Sequence, residues 1–250
     1  LIVIASAFAS QSQVICAGVS PANIQQNYPF AVQTDFGWPR YDGFGGAASE
    51  NWGLTMDFSV QGTFIIDTLV LVNDGTAGTS VDYGHLNAEE GCNPSPANAY
   101  VGKIAILRRG ACSFTDKAKN AQDQGAIAII VVDHFDDDNL ENQYMSADIA
   151  GPGPLVTIPV VRISKTNGNS LIAEMANGPV VMFIGNKLGA FTNDLASSSD
   201  DILIPPYAGE SSVTFNGFNL AMQMYNHGSA MQSASTVTAV ITDPTAAVVF

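Results

Sequence analysis

The chain has little positive charge. Its 250 residues contain 9 Lys and Arg against 23 Asp and Glu, so the formal net charge is −14. Binding to a nucleic-acid backbone requires a concentrated positive surface, and so does attachment to anionic lipid. The composition therefore argues against both nucleic acid and a membrane surface as partners.

The sequence also lacks common catalytic signatures. None of its three histidines, His85, His134 and His227, has a second histidine four residues away, so the zinc-peptidase motif H-E-x-x-H is missing. The serine-hydrolase motif G-x-S-x-G is missing too. We therefore predict that this chain is not itself an enzyme and needs no cofactor.

Long apolar runs are rare, and no segment reaches the roughly 18 uninterrupted apolar residues that cross a bilayer. The opening run, "LIVIASAFAS", ends in the small-residue pattern Ala7-Phe8-Ala9, which is typical of a signal-peptide cleavage site. We predict a truncated signal peptide over residues 1–15, with a buried first strand as the alternative. The bulky Val14 and Ile15 argue against a lipoprotein, so Cys16 is predicted to be a free thiol. The protein is then secreted, or displayed on a bacterial cell surface.

The most informative segment is "GKIAILRRGACSFTDKAKNAQDQGAIAIIVVD", residues 102–133. Its two apolar runs are apolar at consecutive positions, which is typical of strands covered on both faces in a parallel sheet. Between them, Phe114, Ala118 and Ala121 share one helix face, Ser113 is placed to cap the helix, and Gly125 is placed to end it. The pattern predicts strand, helix, strand.

Cys112 has two interpretations. It precedes the helix and follows Arg108 and Arg109, an environment that lowers a thiol pKa and favours thiolate chemistry. In an exported chain the competing interpretation, which we favour, is a disulfide with Cys92, twenty residues earlier.

Charged side chains suggest two further sites. Five of the nine basic residues fall within residues 103–119, which provides either local charge balance or an anchoring patch for an acidic partner or a carboxylate. The acidic loop after His134 is either simply solvated or a calcium site formed by Asp136, Asp137, Asp138 and Glu141.

The motifs "GKIAILRRGACSFTDKAKNAQDQGAIAIIVVD", "IPVVRIS" and "NGNSLIAEMANG" closely resemble the protease-associated (PA) domain, of the kind found in large secreted bacterial proteins such as fungalysin-like metallopeptidases. The resemblance implies an α/β, β-rich fold with a sheet core flanked by short helices. It also implies a disulfide between Cys92 and Cys112. The candidate recognition surface around the family's Arg-Gly turn comprises Arg108, Arg109, Gly110 and Lys117.

The resemblance also sets the predicted domain organisation. The PA domain with its N-terminal extension covers residues 17–187, with a core at 65–187, and a polar linker covers 188–212. In residues 213–250 Phe218, Leu220, Met222 and Met224 alternate with polar or small residues, which predicts a strand with one buried face. We interpret this segment as the incomplete start of an Ig-like β-sandwich.

PA domains are non-catalytic. The resemblance therefore implies a module of a larger secreted protein, a protease by preference, that recognises protein or peptide substrates or regulates access to a catalytic domain of the same chain. The alternative is a binding module of a surface adhesion or receptor-like protein.

Overall fold

A computed structural model describes residues 14–33, 52–53, 55–136, 145, 151–197, 202–203, 221–233, 235–236, 238 and 245. The chain divides into two compact units, Leu1–Lys187 and Leu188–Phe250. Within the described ranges, no helix is long and apolar enough to cross a membrane.

The first unit is built on one seven-stranded sheet with the strand order β1-β7-β3-β4-β5-β6-β2. Strands β3 to β6 run parallel to one another, while β1, β7 and β2 pair antiparallel with their neighbours. Among the described residues of this unit, two α-helices and three 3₁₀ turns connect the strands. The strands are β1 Val14–Ser20, β2 Ala31–Val32, β3 Phe64–Leu71, β4 Ile104–Arg108, β5 Ala128–Val132, β6 Val160–Ile163 and β7 Val181–Asn186. The helices are α1 Phe114–Asp123 and α2 Lys165–Met175, and the 3₁₀ turns are Ala22–Ile24, Asn87–Glu90 and Gly153–Leu155.

The predicted strand, helix, strand unit is confirmed as β4, α1 and β5. Strands β4 and β5 pair in parallel from Ile104 opposite Ala128 to Arg108 opposite Val132. The Ser113 side chain accepts a hydrogen bond from the backbone N–H of Asp116, which satisfies one of the unpaired donors at the start of α1. Gly125 follows the end of α1 with a φ of +92°, a conformation that glycine adopts without strain.

The parallel strands are buried on both faces, as their consecutive apolar residues predict. Ile104 and Ile106 pack on one face in a cluster that includes Leu171 of α2. Ala105 and Leu107 pack on the other face with Ala118 and Ala121 of α1, whose small side chains let that helix lie close to the sheet. The sheet is therefore the central layer of an α/β fold.

Strand β1 begins inside the segment predicted as a signal peptide. Val14 and Ile15 pair with β7 as part of the sheet, and residues 1–13 lie outside the described residues. Cys16 is a free, fully buried thiol, and burial raises its pKa to about 12. A thiol with so high a pKa is an apolar core residue and not a nucleophile.

The second unit differs from its prediction. Strand β8 (Leu195–Ala196) pairs with β11 (Tyr225–Asn226), and β9 (Ile202–Leu203) pairs with β10 (Ala221–Met222), so β8 and β9 lie inside the predicted linker. Met222 and Met224 are 40% and 37% exposed, so the predicted buried face is wrong at these two positions. Pairs of two-residue strands have too little surface to bury such a face. Phe218 and Leu220 lie outside the described residues. The Ig-like sandwich stays a prediction.

Candidate functional site

The parallel strands β4, β5 and β6 end side by side, and polar residues follow each of them. Arg108 is the last residue of β4, Asp133 follows β5, and Ser164 and Lys165 follow β6. In open parallel sheets, ligands bind characteristically at the carboxyl ends of the strands. A cavity of about 350 Å³ lies at this edge, and we call it the strand-end cavity. Besides Arg108, Asp133 and Lys165, its lining includes Tyr83, Leu86, Glu89, His134 and Asn169.

Arg108 is held in position on the cavity wall by two partners. Its Nε donates to Glu89, and its Nη1 donates to Oδ1 of Asn169 at 2.7 Å. A guanidinium carries five N–H donors in a rigid fork, so donors remain for a ligand after both bonds are made. Arg108 was part of the predicted recognition surface, and the structure places it in the cavity.

Asp133 forms the buried base of the site together with two arginines. Its carboxylate lies 3.0 Å from Nη1 of Arg109 and 3.1 Å from Nε of Arg162. The Arg162 and Asp133 side chains are both fully buried, and burial lowers the pKa of Arg162 to about 10, with the charge of Asp133 opposing that change. Even so, Arg162 remains charged at neutral pH. Arg109 also lies over the rings of Phe114 and Phe135, at 5.5 and 5.7 Å from their centroids.

Sequence reasoning missed Arg162. The available signal was an arginine inside the apolar run "IPVVRIS", because a charge in a fully buried strand needs an ionic partner. That partner, Asp133, is the first polar residue after the neighbouring strand β5. The pairing becomes visible only when β5 and β6 are placed side by side.

Aromatic side chains line the same cavity. The ring of His134 stacks on Tyr83 with centroids 4.5 Å apart, and Phe135 meets His134 edge-on at 4.2 Å. Burial lowers the pKa of His134, and the positive charges of Arg109, Arg162 and Lys165 lower it further, while Asp133 raises it. His134 is therefore neutral at pH 7, and its ring serves as an aromatic surface.

The other half of the predicted recognition surface is structural. Lys117 is 1% exposed, and its ammonium donates a 2.7 Å hydrogen bond to the backbone carbonyl of Glu90. Burial lowers the pKa of Lys117 to about 8, and the nearby charge of Glu90 opposes that change. The prediction that Lys117 lies on a recognition surface is wrong, because α1 turns this residue inward to fasten the loop that precedes β4.

Gly110 belongs to the same buried support. The Glu90 carboxylate accepts a hydrogen bond from the backbone N–H of Ala111 at 2.8 Å, and it lies 2.9 Å from Nε2 of His85. A Cβ atom at Gly110 would lie 2.1 Å from this carboxylate, so any other residue here would displace the Glu90 side chain from its hydrogen bonds. The Arg-Gly turn is thus shaped around a buried glutamate.

Cys92 and Cys112 form a disulfide, with Cα atoms 5.6 Å apart. The thiolate interpretation of Cys112 is therefore wrong, and the pairing implied by the PA resemblance is correct. The disulfide joins the 3₁₀ turn Asn87–Glu90 to the start of α1, next to the Lys117 hydrogen bond.

Of the predicted calcium ligands only Asp136 is described, and its carboxylate accepts a 3.1 Å hydrogen bond from the Thr166 hydroxyl. Asp137, Asp138 and Glu141 lie outside the described residues. In the part of the chain that the structure covers, no three His, Cys, Asp or Glu side chains are grouped as metal ligands. Both interpretations of this acidic loop, a solvated loop and a calcium site, remain untested at these positions.

Part of this chain matches a known protein family. Residues 67–171 match the family model of the PA domain. Signal peptide peptidase-like 4 of Oryza sativa subsp. japonica is 36% identical over 89 residues, which are 36% of this chain and 15% of that protein. The minor extracellular protease Vpr of Bacillus subtilis (strain 168) is 30% identical over 77 residues, which are 31% of this chain and 8% of the protease. This chain therefore spans only a small part of the relatives it matches.

Among solved structures, the aminopeptidase from Aneurinibacillus sp. strain AM-1 matches with a TM-score of 0.40 and 20% identity, over 70% of this chain and 31% of that one. The matched residues 67–171 contain β4, α1, β5, the disulfide and every residue named above as lining the strand-end cavity. By the family-model match, residues 67–171 of this chain correspond to a PA domain.

Proposed function

We propose that this chain is the non-catalytic recognition module of a larger exported protein, a peptidase by preference. In this role the strand-end cavity binds a segment of a protein or peptide substrate, or of the parent's own catalytic domain. The observation that carries the proposal is the cavity itself, which places a partly exposed, pre-oriented arginine beside aromatic side chains on a PA domain.

The chemistry of the cavity supports binding and not turnover. A guanidinium whose orientation is held by neighbours loses little conformational freedom when it meets a ligand, so more of the interaction energy appears as affinity. Stacked aromatic rings add a rigid apolar surface, which is typical of peptide-binding sites. Both features lie on a scaffold anchored by a buried ion pair and a disulfide.

The relatives support the peptidase context. Two of the matched proteins are named as a peptidase-like protein and as an extracellular protease. Export of the present chain agrees with its disulfide, because such bonds persist in oxidising compartments.

The proposal is tested by mixing the 250-residue chain with a fluorescein-labelled pool of random octapeptides and measuring fluorescence anisotropy. We expect saturable binding of part of the pool, without cleavage of the peptides or of casein over the same period. Absence of binding would refute recognition by this module. Peptide cleavage that copurifies with the chain would refute a non-catalytic role.

A further inference from the structure

The charged side chains that line the strand-end cavity differ in whether they have an ionic partner. Both lining carboxylates already have cationic partners: Glu89 accepts from Arg108, and Asp133 lies between Arg109 and Arg162. Lys165, by contrast, has no side-chain partner among the residues that the structure describes. Lys165 is therefore the lining cation that is available to a ligand, whereas both lining carboxylates are already paired with arginines.

Lys165 lies at the amino end of α2, where the helix itself also favours a negatively charged ligand. It is the first residue of α2, an eleven-residue helix whose Ser164 cap engages only the N–H of Asn167 among the first-turn amides. The amino end of a helix carries a partial positive charge and N–H groups that favour anions. Arg108, which is hydrogen-bonded to Asn169 of the same helix, also lines the cavity and presents its remaining donors in a geometry that suits a carboxylate.

An apolar surface lies beside these cations. Leu86 and Tyr83, which line the cavity, are 54% and 38% exposed, and Phe135 next to His134 is 46% exposed. Tyr83 is also fixed in orientation by its stacking on His134. A ligand that fills this site thus needs a carboxylate and an apolar group a few ångströms apart.

The C-terminal residue of a peptide meets this requirement within one residue, because its carboxylate and its side chain share one Cα. We propose that the strand-end cavity binds the free C-terminal carboxylate of a peptide whose last residue is apolar, through Arg108 and Lys165. An internal Asp or Glu carries the same carboxylate but has no apolar group on its own side chain. A cavity of about 350 Å³ is at the small end of ligand sites and suits the last one or two residues of a chain.

This inference rests on the proposed peptide recognition, and its test separates the two. Fluorescein-labelled octapeptide pools with random sequence and Phe or Leu at the last position are prepared with a free acid end or a carboxamide end. A third pool has a carboxamide end and an internal Asp. Binding of each pool to the 250-residue chain is measured by anisotropy. We expect the acid pool to bind about tenfold more tightly than either other pool, since charge-assisted hydrogen bonds are lost in the amide.

Matched variants locate the interaction. Lys165→Gln should weaken binding of the acid pool several-fold and binding of the amide pool much less. Lys119→Gln makes the same charge change on α1, where Lys119 pairs with Asp123 outside the cavity, and should change neither pool. Arg108→Lys keeps the charge and removes the fork, so it should also weaken the acid pool. Circular dichroism and thermal unfolding establish that each variant is folded.

The outcomes are distinct. Equal binding of the acid and amide pools overturns the carboxylate site and leaves peptide recognition standing. Preference for the internal Asp pool also overturns the C-terminal assignment. A Lys165→Gln effect no larger than that of Lys119→Gln places the carboxylate elsewhere. Binding of none of the pools refutes this inference together with the proposed function.

Discussion

Helices α1 and α2 start in the same way and serve different purposes. Each follows a parallel strand, each has a serine cap, Ser113 or Ser164, and each carries a lysine in its first turn or just after it, Lys117 or Lys165. Lys117 is buried against the carbonyl of Glu90, whereas Lys165 lines the strand-end cavity. The helices also pack in different hydrophobic clusters, α1 through Ala118 and α2 through Leu171.

This contrast shows that a local sequence signal identifies a helix start but not whether that start is structural or lines a binding site. Helix α1 is joined to the preceding loop by the disulfide and by the Lys117 hydrogen bond, so its first turn is part of the scaffold. Helix α2 begins beside the Asp133–Arg162 ion pair, and its first turn opens toward the cavity. Changes at the two helix starts should therefore affect different properties.

The largest effect is expected at the buried ion pair beneath α2. Asp133→Asn should lower the free energy of unfolding by about 3 kcal/mol, because it removes the negative charge that lies 3.1 Å from the fully buried guanidinium of Arg162. Urea denaturation measures the change. Asp136→Asn, an exposed carboxylate three residues away, is the matched control and should change stability by less than about 0.5 kcal/mol. A loss below about 1 kcal/mol at Asp133 would show that this ion pair does not support the α2 side of the sheet.

Loss of the disulfide next to α1 should lower the free energy of unfolding by nearly as much. Replacing Cys92 and Cys112 together by serine removes a link across 20 residues and should lower the free energy of unfolding by roughly 3 kcal/mol. Urea denaturation of the double variant checks this value. Because the link belongs to the scaffold at α1, peptide binding by the folded fraction should change little. Loss of binding while the variant is still fully folded would contradict the separation of the two helix starts.

The buried Lys117 of α1 should make the stability of the protein depend on pH. Burial lowers its folded-state pKa from 10.5 to about 8. Between these two pH values the unfolded chain holds the Lys117 proton more fully than the native chain does, so stability rises with pH through this window. Below about pH 8 both states are protonated and the cost of burying the charge is fully present.

The measurement compares the chain with Lys117→Met by urea denaturation at pH 7 and at about pH 9.5. The variant has no titrating group at this position, so the stability of the wild-type chain relative to the variant should increase at the higher pH. A difference that stays constant or shrinks with rising pH would show that Lys117 is not a buried, charged side chain at neutral pH.

The smallest expected effect compares the two serine caps. Ser113→Ala and Ser164→Ala should each lower the free energy of unfolding by about 1 kcal/mol, because each side chain accepts a hydrogen bond from a first-turn N–H. Thermal unfolding measures both changes. Peptide affinity should fall for Ser164→Ala alone, since that cap adjoins Lys165. Equal effects on affinity at the two caps would remove the functional contrast between α1 and α2.

Much of the PA core could be predicted from the sequence because its signals are local. Strand β4, helix α1 and strand β5 follow from consecutive apolar runs, a serine cap and a terminal glycine. The cysteine pairing was favoured by the expected export of the chain and was also implied by the PA resemblance, although Cys112 next to two arginines also suited a reactive thiol. The strands of the second unit were poorly predicted because β8 and β9 are too short to form a recognisable pattern.

Only some residues of the candidate site could be identified from the sequence. Arg108 and Arg109 were identified as a charged cluster, and both do reach the strand ends. Lys117 was assigned with them on the basis of its charge, although the helix turns it into the protein interior. Lys165, Asn169 and Tyr83 were not predicted to belong to a site, because they are far from Arg108 along the chain and meet it only across the sheet edge.

Local sequence patterns and composition are enough to predict the strand, helix, strand unit of β4, α1 and β5, both ends of α1 and the acidic character of the chain, since each depends on neighbouring residues or on residue counts. Only the tertiary structure decided which lysine is buried and which one faces a cavity. It also decided that Asp133 neutralises Arg162 across two strands. The physical reason is that burial and charge pairing depend on which strand ends lie side by side, and residues distant along the chain supply those neighbours.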